Sequence, residues 1–103
     1  MSFAATTNHS RQTRKRYWVY ILECADLTLY TGYTTDIGAR IRLHTLGKGA
    51  KYTRGRGPFK LAYLKEYGTQ RGAMRRERQI KKLSRAQKLL LIEKQENEAR
   101  SGY

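Results

Sequence analysis

YWVYILECADLTLYTGYTTDIGARIRLH, running from Tyr17 to His44, decides how this chain is built. Tyr17 to Cys24 is almost wholly aromatic, β-branched or aliphatic, which suits a strand covered on both faces. Ala25 and Asp26 turn the chain. From Leu27 to Tyr33 the residues alternate Leu27, Leu29, Thr31 against Thr28, Tyr30, Gly32, so a second strand is expected with Tyr30 on the face opposite the two leucines. Thr34, Thr35 and Asp36 then offer a cap and a first-turn acid, and Gly47 a stop, so a helix is expected from about Asp36 to Leu46. On it Ile37, Arg40, Ile41 and His44 follow the i, i+3, i+4, i+7 spacing and share one stripe. His44 has two readings there, a helix-end histidine meeting the negative pole of the dipole or a member of a site. Arg40 is harder to treat as ordinary, because a guanidinium on an inward stripe calls for an anionic partner.

Beyond that stretch, GKGAKYTRGRGP from Gly47 to Pro58 is a glycine-punctuated loop that carries Lys48, Lys51, Arg54 and Arg56 around Tyr52. Cations that meet phosphates beside an aromatic stacking surface suit a nucleic-acid backbone, although a solvated flexible loop has the same composition. The pattern lacks the Gly-Lys-Ser/Thr ending of a phosphate loop. Phe59 to Glu66 reads as a third strand, with Phe59, Leu61 and Tyr63 on one face. A helix is expected from about Thr69 to Leu83, with Ala73, Met74, Ile80 and Leu83 as its apolar stripe and Glu77 inside that stripe. Glu77 is either a counterion to the surrounding cations, Arg71, Arg75, Arg76, Arg78, Lys81 and Lys82, or a carboxylate with a task. Ser84 to Gln87 fits a capping box for a last helix reaching about Glu98, with Ala86, Leu89, Leu90 and Ile92 as its packing face and the final residues 99–103 fraying.

Composition narrows the class of partner. A chain of 103 residues supports one domain, here 17–98, and none of its stretches is apolar enough to cross a membrane. Lys and Arg number 22 against 8 Asp and Glu, a net charge of +14 with a pI near 10.4. Such an excess repels itself in a compact body and points to a polyanion, with nucleic acid first. The single cysteine, Cys24, excludes an intramolecular disulfide and argues against a structural zinc site. Residues 1–16 end in the basic run RQTRKR and lack the apolar core of a secretion signal. They read as a disordered arm, either merely solvated or adding electrostatic affinity, and the protein is expected in the cytoplasm.

Trp18-Val19-Tyr20, Tyr30-Thr31-Gly32, Arg40, the GKGAKYTR loop and Glu77 within RRERQIKK together resemble the GIY-YIG nuclease superfamily, over roughly Tyr17 to Ile92. The likeness is to its small single-domain bacterial members. It implies an α/β (α+β) fold, a small three-stranded antiparallel sheet flanked by helices. It also implies a divalent-metal-dependent endonuclease acting on DNA ahead of RNA, with Mg²⁺ or Mn²⁺ and no small-molecule cofactor. By position in the motifs, Tyr20, Tyr30, Arg40, His44 and Glu77 would be catalytic, with Glu77 holding the metal. Lys48, Lys51, Tyr52, Arg54 and Arg56 would meet nucleic acid. Trp18, Thr31 and Tyr33 depart from the family's usual glycine, isoleucine and lysine. The competing function is a basic nucleic-acid-binding module, with RNA among its candidate partners, that keeps the fold without turnover.

Overall fold

A computed structural model describes residues 15–100. The basic arm expected over 1–16 therefore lies outside the described residues except for Lys15 and Arg16, as do 101–103 of the expected tail. The elements are β1 (Tyr17–Glu23), β2 (Leu29–Thr34), α1 (Ile37–Thr45), β3 (Lys60–Tyr67), α2 (Gln70–Lys81) and α3 (Arg85–Arg100). Both pairings are antiparallel, giving the expected three-stranded antiparallel sheet, and its order, β2-β1-β3, makes β1 central. Among the described residues no helix is long and apolar enough to cross a membrane.

A central strand is hydrogen-bonded on both sides and covered on both faces, and Val19 to Leu22 are accordingly buried without exception. Val19 and Ile21 face α2 and α3 and pack in one cluster with Tyr63, Ala73, Ile80 and Ile92. Tyr20 points to the other face, where α1 lies. The helices start where local chemistry satisfies their free N–H groups. Asp36 accepts from the Ala39 N–H at 3.0 Å, and Thr69 accepts from that of Gly72 at 3.0 Å. Ser84 and Gln87 exchange both bonds of the expected capping box, at 3.2 and 2.9 Å.

Five expectations change. Leu27 is not in β2 but in the turn before it, with a left-handed φ of 67° and 60% exposure. In β3 the register steps from Ile21↔Tyr63 to Leu22↔Leu61, so Ala62 is an extra residue. The bulge breaks the alternation. Tyr63 joins the core while Leu61 turns outward, and Phe59 precedes the strand. On α2, Met74 lies at the edge of the stripe and is 37% exposed. On α3 the inward stripe is Lys88, Leu91, Ile92 and Gln95, while Ala86, Leu89 and Leu90 are exposed. Four consecutive apolar residues, Leu89 to Ile92, span a whole turn, so the pattern alone does not choose among them. The helix also continues to Arg100.

Gln95 has a specific task. Its side-chain amide donates to the Leu64 carbonyl at 2.8 Å and accepts from the Leu64 N–H at 3.1 Å. At that residue it replaces the neighbour that edge strand β3 lacks. Gln95→Ala is expected to cost about 1–2 kcal/mol, because two partly buried backbone groups lose their partners. Thermal unfolding followed by circular dichroism should show a melting point lower by roughly 4–8 °C per kcal/mol. An unchanged melting point would mean that the clip contributes nothing.

Candidate active site

The register of β1 on β2 sets Tyr20 opposite Gly32. A Cβ at Gly32 would stand 2.4 Å from the Tyr20 hydroxyl oxygen, so only a residue without one lets the phenol lie there. On α1 the stripe Ile37, Arg40, Ile41 and His44 turns toward the sheet, as its spacing required. Arg40 Nε donates to the Tyr20 hydroxyl at 3.3 Å, and the hydroxyl meets His44 Nε2 at 2.9 Å. The other ring nitrogen, Nδ1, meets Thr53 Oγ1 at 2.8 Å, and the Thr53 hydroxyl donates to the Ala50 carbonyl at 3.1 Å.

These contacts admit one consistent set of protons. Because the Thr53 hydrogen goes to Ala50, the Thr53 oxygen accepts Nδ1–H, which leaves a lone pair on Nε2. Nε2 therefore accepts the Tyr20 hydroxyl, whose oxygen in turn accepts Arg40 Nε–H. The chain is unbroken and interior, with Tyr20 and Thr53 fully buried and His44 nearly so. Burial first, and then the charge of Arg40, holds the His44 pKa below that of a free imidazole, so the ring is neutral at neutral pH. Burial raises the Tyr20 phenol, against the pull of the Arg40 hydrogen bond and charge. The hydrogen bond to Tyr20 in turn raises Arg40.

Thr53 and Gly49 escaped the sequence reading. A Cβ at Gly49 would stand 2.4 Å from His44 Nδ1, and the Gly49 carbonyl accepts from Arg40 at 2.7 Å. The loop is conspicuous for its cations, which hide its one fully buried residue, an uncharged β-branched Thr53 between Tyr52 and Arg54. The anionic partner expected for Arg40 is not there. Its bonds run to a phenol oxygen and a carbonyl, and among the described residues it makes no ion pair.

The remaining candidates divide. Tyr30 joins the cluster, its ring edge-on to His44 at 5.2 Å, 6.3 Å from Tyr20 and stacked on Tyr52 at 5.9 Å. Unlike Tyr20 it is half-buried and lines a surface groove with Tyr52, Lys81 and Lys88. Glu77 is 18% exposed and pairs with Lys81, one of the cations that surround it in sequence, at 3.2 Å. Its charge reaches Tyr20, adding to the rise that burial causes. Lys48, Lys51 and Arg54 are exposed loop cations. Arg56 is an anchor, paired with Asp26, donating to the Tyr52 carbonyl at 2.7 Å and lying 4.5 Å over the Tyr52 ring. Tyr52 is thus already engaged by Tyr30 and Arg56, which leaves less ring for stacking than the sequence suggested.

Among the described residues no three His, Cys, Asp or Glu side chains gather into a ready metal cage. Glu77 offers one hard, half-buried carboxylate. That fits an ion of the Mg²⁺ or Mn²⁺ kind, which keeps most of its waters and takes phosphate oxygens from a substrate.

The GIY-YIG catalytic domain model matches residues 16–90. The UPF0213 protein OB0043 of Oceanobacillus iheyensis is 52% identical over 84 residues, 82% of this chain and 98% of the relative. The UPF0213 protein VNG_2274C of Halobacterium salinarum is 56% identical over 74 residues, 72% and 96% of the two chains. Two solution NMR structures share the fold. The UPF0213 protein BH0048 of Bacillus halodurans has a TM-score of 0.52 at 52% identity, covering 76% of this chain and 83% of that one. The protein EF2693 of E. faecalis has a TM-score of 0.57 at 35% identity, covering 78% and 85%.

The lowered His44 pKa has a measurable consequence. Between the folded value and the unfolded value of about 6.5, the unfolded chain binds a proton that the folded one does not. Stability is therefore complete above about pH 6.5 and falls as pH drops toward the folded pKa. Melting temperatures between pH 7 and 5 should decline in the wild type and decline less in His44→Gln. Thr53→Val should remove the tautomer-fixing bond at a cost of about 1–3 kcal/mol, since Nδ1–H is left buried and unpaired. The ¹⁵N shifts of His44 would report the mixed tautomers, and unchanged shifts would contradict the assignment.

Proposed function

The chain belongs to the GIY-YIG family, and from that premise we propose that it is a divalent-metal-dependent endonuclease hydrolysing phosphodiester bonds in nucleic acid, DNA ahead of RNA. Members of that family are generally nucleases. The observation that carries the reading is the Arg40 guanidinium, fixed by neutral acceptors beside Tyr30 and lacking a carboxylate partner among the described residues.

Arg40 uses Nε on Tyr20 and part of its fork on Gly49. The rest of the guanidinium, near Tyr30, meets the non-bridging oxygens of the scissile phosphate, whose charge grows in the transition state. Tyr30 is the phenol that reaches the groove, and it holds the attacking water. Its hydroxyl orients that water, whose proton passes to solvent while the water oxygen bonds to phosphorus. The bond to the leaving oxygen breaks, and that oxygen departs with the electron pair and is protonated from solvent. Tyr20, His44 and Thr53 are positioning residues: buried and mutually bonded, they aim Arg40. Glu77 would hold the metal, which when bound supplies positive charge to the leaving oxygen.

The test is cleavage of single-stranded, duplex and branched DNA and RNA, with and without Mg²⁺ or Mn²⁺, alongside binding and melting. Arg40→Ala should lower cleavage by roughly 10²–10³-fold while most binding survives, since its task lies in the transition state. Arg40→Lys should be nearly as poor, because an ammonium lacks the planar fork. Glu77→Gln should lose metal-dependent cleavage and melt within a few degrees of wild type, since an i,i+4 pair is worth only about 0.3–0.5 kcal/mol. A wild type that binds the panel yet cleaves nothing would leave the basic binding module as the function.

A further inference from the structure

A second feature lies along the free edge of β2, outside the Tyr20–His44–Thr53 chain. Two adjoining concavities share Leu29, Tyr52 and Lys88, and so form one continuous track. One end opens at Tyr30 and Lys81, the other at Thr28 and Arg85. Four parts of the chain converge on it: β2, the 47–58 loop, the end of α2 and the start of α3. Because β2 is an edge strand, no further strand of the sheet covers that side.

The chemistry of the track is one-sided. Its ionisable lining residues other than the tyrosines are Lys81, Arg85 and Lys88, all cations. Lys81 has Glu77 as counterion, whereas among the described residues neither Arg85 nor Lys88 has a carboxylate partner. Arg85 spends one guanidinium N–H on the Leu27 carbonyl at 2.6 Å, which ties α3 to the β1–β2 turn and fixes the charge at the mouth. Lys88 lies on the inward stripe of α3, half-buried next to Lys81. Burial first and the Lys81 charge second lower its pKa, the signature of an ammonium placed where an anion would relieve it. Thr31, another lining residue, is 3% exposed, and its hydroxyl has no hydrogen-bond partner among the described residues.

We propose that this track is a phosphate-binding subsite, which holds the strand leading away from the cleaved bond with Lys81, Lys88 and Arg85 on successive phosphates. It rests on the nuclease reading in that the ligand is a polynucleotide strand entering at Tyr30. None of the loop cations Lys48, Lys51, Arg54 and Arg56 lines either concavity, so the subsite adds a second line of contact and defines which flank of the substrate must be present.

Counterion release tests this. Binding of a fluorescent 20-base-pair DNA duplex is measured by anisotropy against salt concentration, for the wild type, Lys88→Gln, Arg85→Gln and Lys94→Gln. Lys94 is the control. It sits on the same helix and removes the same charge, but it lines a different concavity with Tyr63, Lys65, Arg76 and Glu98. Each lost phosphate contact should flatten the slope of log K against log salt by about 0.9. Lys88→Gln and Arg85→Gln should each show that change and their double variant about twice it, while Lys94→Gln keeps the wild-type slope. Equal slopes in Lys88→Gln and Lys94→Gln would overturn the subsite and leave the nuclease reading intact. A wild type with no salt-dependent binding would overturn both. Circular dichroism of each variant confirms that the fold is retained, and the two groove variants check each other.

Discussion

The hydroxyl of Tyr20, caught between Arg40 Nε and His44 Nε2, is the contact to which the rest of this small domain conforms. A buried polar group left without a partner costs about 1–3 kcal/mol, so a chain of such groups is tolerable only when every member is satisfied. Here it is satisfied end to end, and satisfying it dictates the neighbours. Gly32 and Gly49 are bare where the Tyr20 and His44 rings must lie, and Thr53 is buried to receive Nδ1–H. The same contact ties three separate pieces of chain together, β1, α1 and the 47–58 loop. That loop has little apolar surface of its own to bury. Its hold on the body comes from Thr53, from the Gly49 carbonyl bonded to Arg40, from Tyr52 stacked on Tyr30, and from Arg56 pairing with Asp26.

The sheet therefore has two unlike faces. Val19, Ile21 and Tyr63 look into an apolar cluster closed by α2 and α3, the only kind of core a chain of this length can fill well. The opposite face carries polar rings and a guanidinium. Arg40 is bonded there to neutral oxygens, so its geometry is fixed while its charge is not neutralised by the protein. Pairing it with a carboxylate would have stabilised the resting domain and cancelled the attraction for phosphate. A net charge of +14 has the same sign over longer range, and a polyanion is the partner that would relieve it.

The strands and helices were legible because their signals are local: alternation in β2, the capping residues within Thr34 to Asp36, the apolar stripe of α2, the box from Ser84 to Gln87. The stripe placing Arg40 and His44 inward was legible for the same reason. What was hidden depends on partners distant in sequence. The bulge at Ala62 reflects how β3 meets β1, and it reverses Leu61 without any mark such as a glycine. Thr53 earns its burial only through His44, nine residues away. Arg56 read as a free loop cation because its acid, Asp26, is thirty residues distant. Arg40 was expected to seek an anion; two neutral acceptors from different segments took that place, and no periodicity could indicate them.

The clearest case is α3, whose inward stripe holds Lys88 and Gln95 as well as Leu91 and Ile92. A three-stranded sheet has one central strand and two edges, and both edges need management. Seven residues of helix rise about 10.5 Å, close to the span of about 9.6 Å across two strand spacings. Lys88 beside Leu29 of β2 and Gln95 on Leu64 of β3 thus fit a helix laid across the sheet from one edge to the other. The apolar residues between them cover the middle. At β3 the amide closes the edge with two hydrogen bonds, leaving nothing for another strand to pair with at Leu64. At β2 the helix supplies Lys88 and Arg85, cations that cannot accept from a backbone N–H and that repel a basic copy of the same chain. One edge is closed at Leu64 and the other is lined by cations, and the cationic edge is the one that leads to Tyr30.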